Sequence, residues 1–168
     1  LSALPIRPVH MRTLSTFLKL SSHSPTPSLY LLLGELPVEA RVHASVFSLF
    51  FTIWSNPDTT AHQIVHYLLM MTDDSSTTWA NHLRILSRKY CLPDPLYLLE
   101  STNIKSKKQW KTLINTKITI FHEKELRSLA QDNSKMRFLN VQTTGLSGHP
   151  HTALQNILTT RDVLKLWA

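Results

Sequence analysis

Between Ser106 and Leu126 the chain reads SKKQWKTLINTKITIFHEKEL. At about 100° per residue, Trp110, Leu113, Ile114, Ile118 and Phe121 fall on one stripe of a helix. The spacing predicts a long helix over about Ser106 to Gln131, with Trp110 among its core residues. Lys108, Lys111 and Asn115 fall off the stripe, and Thr112, Thr116 and Thr119 fall opposite it. Lys117 lies within the stripe, where its stem can cover apolar surface while the ammonium reaches water. Lys107 also lies within it, but in the first turn, where it is freer to reach solvent. After Phe121 the apolar phase shifts to Leu126 and Leu129, which predicts a bend or restart.

The rest of the chain follows the same period. A first helix is expected over about Pro8 to Leu20, with Met11, Leu14, Phe17 and Leu18 on one face. Ser21–Ser28 reads as a loop restricted by Pro25 and Pro27. Leu29–Pro37 reads as one or two apolar turns ended at Gly34. Pro37 starts a stronger helix to about Ser55, with Val42, Val46, Leu49, Phe50 and Ile53 at helical spacing. Thr60–Met71 is expected to turn Ile64, Tyr67, Leu68 and Met71 inward. Thr72–Ser76 reads as a turn that caps a helix over Thr77–Tyr90, which carries Trp79, Leu83, Leu86 and Tyr90. Asp94 and Pro95 read as the N-cap and first residue of a short helix. A short extended piece at Met136–Asn140, a loop at Thr143–His151 and a small helix at Thr152–Leu158 complete the reading. The fold expected is therefore all-α: an irregular multi-helix bundle with a short C-terminal extension. Its segments are a helical bundle over 1–104, a basic long helix over 105–137 packed on it, and loop and short helices over 138–168.

Composition narrows the function classes. Of 168 residues, 42% are hydrophobic and only 3 are glycine, which suits a packed core and leaves little for a phosphate-cradling loop. The single cysteine, Cys91, excludes an intrachain disulfide and a cysteine-rich zinc site within these residues. No apolar run approaches the roughly 18–20 residues that span a bilayer, so no membrane partner is expected. The net charge of +7 is unevenly placed. Residues 1–104 balance 7 basic against 7 acidic side chains, whereas 105–137 hold 9 basic and 3 acidic, a net +6. Such a block points to polyanions, and a solvated helix face is its plain alternative.

Several motifs have plainer readings than the chemistry they suggest. Met71–Asp74 looks like the paired aspartates that hold two metal ions, but a helical pattern precedes it and SSTT follows, which is cap chemistry. His62 and His66 share a helix face, yet Gln63 cannot serve as the general base that a zinc hydrolase places after its first histidine. His149 and His151 lack a nearby third ligand, and Cys91 has no adjacent base, so it reads as a buried or linker residue. No catalytic residue, metal site or cofactor is expected.

Four blocks, in order, resemble one family. LLLGELPVEARVHASVFSLF (Leu31–Phe50) resembles the G-x-L-P-x-E-A-x-x-H block that follows the reverse transcriptase core of non-LTR (LINE-type) retrotransposon polyproteins. KYCLPDPLYLL (Lys89–Leu99) is similar to that family's Y-x-L-P-D-P-L-x-L-L block. KKQWKTLINTKI (Lys107–Ile118) resembles its W-K-x-x-[VI]-x-x-x-[VI] helix, and Ser134–Leu166 resembles the tract leading to a Cys/His zinc-binding element. Gly34, Leu36, Pro37, Glu39, Ala40, His43, Trp110 and Lys111 match family positions.

The resemblance implies a non-catalytic part of an RNA-directed DNA polymerase. It places the palm aspartates upstream of Leu1 and the Cys/His element downstream of Ala168. The start at Leu1 and the stop soon after a helix start at Thr160 fit a piece of a longer polypeptide. On this reading Lys105, Lys107, Lys108, Lys111 and Arg127 contact the phosphates of RNA or DNA. Trp110, Pro37, Gly34 and Glu39 serve the structure: Pro37 opens a helix, Glu39 complements its dipole, and Trp110 anchors another. The remainder of the parent polymerase is the second expected partner. The competing expectation is a structural connector that docks on the polymerase core without touching nucleic acid.

Overall fold

A computed structural model describes residues 6–18, 26–72, 77–101 and 106–132. Among them the chain forms seven α-helices and no strand, as the helical spacing predicts. They are α1 (Ile6–Phe17), α2 (Thr26–Leu33), α3 (Val38–Trp54), α4 (Thr60–Met71), α5 (Trp79–Lys89), α6 (Pro95–Glu100) and α7 (Lys107–Gln131). The expected features at Asp73–Ser76, Met136–Asn140, Thr143–His151 and Thr152–Leu158 lie outside the described residues.

Caps explain most of the boundaries. Thr59 and Thr78 accept from backbone N–H groups at the starts of α4 and α5, and Asp94 accepts from Leu96 N at 2.8 Å before Pro95 opens α6. The cap of α5 is thus Thr78 and not a residue of the Thr72–Ser76 turn. Among the described residues, two helices end with a left-handed residue. At Gly34 (φ 64°) the N–H groups of Gly34 and Glu35 return to the carbonyls of Leu31 and Tyr30. At Cys91 (φ 52°) those of Cys91 and Leu92 return to Arg88 and Ser87. Both are the paired-bond helix stop in which glycine is the least strained occupant. α2 begins at Thr26, so Thr26–Ser28 are helical and not loop, with Pro27 in the first turn where its missing N–H costs nothing.

The chain divides into two compact units, Leu1–Ala40 with His122–Ala168, and Arg41–Phe121. In the first, Tyr30 and Leu31 of α2 pack with Leu126 and Ala130 of α7, and Met11, Leu14 and Leu36 border them. His10 Nδ1 meets the Tyr30 hydroxyl at 3.3 Å.

The second unit buries aromatic residues. Phe47, Phe50, Phe51 and Trp54 form the inner face of α3. The expected stripe shares only Phe50 with them; Val42 and Leu49 are exposed. The four aromatics span the same helical period and offer more apolar area, so they win the inward position. α4 departs similarly. Val65 and Leu69 are buried, whereas Ile64, Tyr67 and Met71, expected inside, are exposed. With apolar residues around most of its circumference, α4 satisfies two stripes one residue apart, and periodicity alone cannot choose between them. α7 also continues through Phe121 as one helix, without a restart there. Its buried residues continue in steps of four through Trp110, Ile114, Ile118, His122, Leu126 and Ala130. His122 carries this buried row past Phe121; it is 4% exposed and its Nδ1 lies 3.2 Å from the Glu125 carboxylate.

Candidate nucleic-acid interface

The stretch SKKQW sets the phase of everything that follows it. Ser106 Oγ accepts from Gln109 N at 3.3 Å, and Gln109 Oε1 accepts from Ser106 N at 3.1 Å. This reciprocal pair is a capping box. Starting α7 there turns Trp110 inward, where it is 3% exposed. Its indole N–H donates to the Phe47 carbonyl at 3.1 Å. Its ring stacks on Phe51 (centroids 6.1 Å, 26°) and meets Trp54 edge-on at 5.4 Å. Trp110 is therefore a core anchor, as its stripe predicts, and its ring faces are covered.

Lys108 and Lys111 lie off the buried row, Lys107 sits in the first turn, and all three are exposed. None pairs with a carboxylate of a described residue. The first turn of α7 holds no acidic residue. Two lysines there oppose the helix dipole, whose N-terminal end is partly positive, and Lys107 and Lys111 repel one another at i, i+4. Each conflict is worth a few tenths to about 1 kcal/mol and is relieved by an anion. Lys117 is half-buried, in keeping with a covered stem.

Lys107 and Lys111 also border a groove of about 280 Å³. Ala44, Ser45 and Ser48 of α3 form one wall; their side chains are too short to fill the space opposite α7. Phe51, Trp110 and Ile114 supply the apolar surface, and Asn115 a polar one. Among the described residues no acidic side chain lines it. Its α3 wall went unrecognised in the sequence because the helices meet only in the folded chain.

The other expected contacts are placed differently. Arg127 belongs to the first unit and forks onto Glu123, with Nε at 3.2 Å and Nη2 at 2.7 Å from Oε1. Lys105 lies outside the described residues. Gly34 provides the left-handed stop of α2, Pro37 O accepts from Ala40 N at 2.9 Å at the start of α3, and Glu39 sits in its first turn.

Elsewhere, the His62 and His66 rings lie parallel with centroids 6.5 Å apart, and His66 Nε2 is 3.5 Å from Glu100. Among the described residues no three His, Cys, Asp or Glu side chains gather as a metal site. Cys91 is exposed at the link after α5. No helix of the described residues is long and apolar enough to cross a membrane. Comparison with protein-family models, with curated proteins and with solved structures found no match to this chain.

Proposed function

We propose that this chain is a non-catalytic helical segment of an RNA-directed DNA polymerase of the non-LTR retrotransposon kind, and that it holds template RNA or target DNA by the phosphate backbone. The order of the four resembling blocks supports the family. The observation that carries the role is the exposed set Lys107, Lys108 and Lys111 on the first two turns of α7, without a carboxylate partner among the described residues and against the helix dipole. Phosphates supply the missing negative charge, and such binding is salt-dependent and largely blind to sequence. Arg127, already forked by Glu123, is a weaker contributor. The reaction itself belongs to other parts of the parent polymerase.

The test is the slope of log affinity against log salt for RNA and DNA strands. Each lost phosphate contact lowers that slope by about 0.7–0.9. Changing the three lysines to Gln is expected to lower it by roughly 2 to 3 and to leave the thermal midpoint nearly unchanged. Matching slopes would defeat this reading.

A specific observation supports the connector role as the second reading. α4 exposes Ile64, Tyr67, Met70 and Met71, an apolar surface suited to docking on another part of a polymerase.

A further inference from the structure

We infer that the groove between α3 and α7 is a subsite for one unpaired base of a single-stranded nucleic acid, with Lys107 and Lys111 on the adjoining phosphates. The inference rests on the phosphate-binding reading of α7 and adds strandedness to it.

Three features of the groove bear on its occupant. First, its volume of about 280 Å³ lies just under the roughly 300–1,000 Å³ of pockets that bury drug-sized ligands, so it suits one small ring system. A duplex keeps its bases stacked and paired and offers such a groove only its backbone. Second, the surface is mixed in the way a base requires. Phe51, Trp110 and Ile114 give apolar contact, while Ser48 and Asn115 are exposed at the polar side. Serine hydroxyl and asparagine amide each donate and accept, which matches base edges of either polarity. Ser45 is less available, since its hydroxyl donates to Arg41 O at 3.0 Å. Third, among the described residues the charged side chains on the lining are Lys107 and Lys111. A ligand with an apolar ring and an attached anion meets all three conditions; a purely apolar peptide leaves both ammonium groups unanswered.

Trp110 and Phe51 are too covered to act as open stacking platforms, so the base is expected to enter the groove and not to lie on an exposed ring. This distinguishes the site from binding on a flat aromatic surface.

The experiment compares three probes of about 12 nucleotides, within the range of single-strand site sizes: an oligothymidylate, an abasic strand of equal length and charge, and a duplex. The wild-type chain is expected to bind the base-bearing strand about tenfold more tightly than the abasic one. Ser48→Phe fills the groove from an exposed helix position. It is expected to bring the base-bearing strand to the abasic level while leaving the salt slope intact. Lys107→Gln with Lys111→Gln is expected to weaken all three probes and lower the slope. Equal wild-type affinity for base-bearing and abasic strands would overturn the groove subsite and leave the phosphate reading standing. Duplex binding as tight as the base-bearing strand would do the same. Failure to bind any probe would overturn both. The wild-type comparison decides the matter even if Ser48→Phe fails to fold.

Discussion

The indole N–H of Trp110 donates to the main-chain carbonyl of Phe47, 3.1 Å away and 63 residues earlier in the chain. Phe47 lies in the interior of α3, so this is a second bond to an oxygen with two lone pairs. The bond fixes which face of α7 meets α3. Trp110→Phe keeps an aromatic ring but removes the donor, and is expected to cost about 1–2 kcal/mol. Trp110→Ala also opens a cavity beside Phe50, Phe51 and Trp54, and is expected to cost about 3–5 kcal/mol. Urea unfolding of the two variants measures both. Wild-type stability in either, with nucleic-acid affinity lost, would mean that the ring serves as a binding platform.

Arg84 of α5 closes the end of α4. Its Nη1 donates to Thr72 O at 2.9 Å and its Nη2 to Leu69 O at 2.6 Å. The cation thus sits where the dipole of α4 is negative and satisfies carbonyls that the helix leaves open. Arg84→Met is expected to destabilise by about 1.5–3 kcal/mol. Arg84→Lys retains charge without the planar fork, so it is expected to recover only part of that loss. Full recovery by lysine would mean that charge alone matters there.

The two left-handed helix stops make a paired test. Gly34 at φ 64° is unstrained, whereas Cys91 at φ 52° carries a Cβ into the same region. Cys91→Gly is expected to stabilise by about 1 kcal/mol. Cys91→Ala, which keeps the Cβ, is expected to change little, and Gly34→Ala to destabilise by about 1 kcal/mol. Thermal unfolding in reductant checks all three. A gain in Cys91→Ala equal to that in Cys91→Gly would place the effect in the thiol instead of the backbone.

How far the sequence was legible depended on how uniquely each helix was marked. The first half of α7 has apolar residues on one side only, so Trp110, Ile114 and Ile118 were recognisable as core. Asp94-Pro95 marked the start of α6 because the cap is local chemistry. α3 and α4 carry apolar residues around most of their surface, and neighbouring helices chose among the available stripes. His122 broke the pattern of α7 on paper because imidazole does not read as apolar, although it is buried. The α3 wall of the groove was invisible for a different reason: Ser48 and Asn115 are 67 positions apart, and nothing local to either announces the other.

The face of α4 gives a test of both packing and role. Leu69 is fully buried and Val65 nearly so, while Ile64, Tyr67 and Met71 are 53%, 59% and 66% exposed. Leu69→Ala is expected to cost about 2–5 kcal/mol, as a buried leucine does. Ile64→Lys, Tyr67→Lys and Met71→Lys, made singly, are expected to shift stability by no more than about 0.5 kcal/mol, because lysine in a solvated helix loses little. Loss of several kcal/mol in these variants would restore the inward stripe first expected from periodicity. The combined variant also separates the two functional readings. If α4 docks on the rest of a polymerase, its association with that partner should fall at least tenfold while oligonucleotide affinity, measured at matched salt, does not fall. If α7 binds nucleic acid independently, changing Lys107, Lys108 and Lys111 to Gln should show the reverse. A face whose removal changes neither association would be an ordinary exposed surface, and the connector role would lose its only structural support.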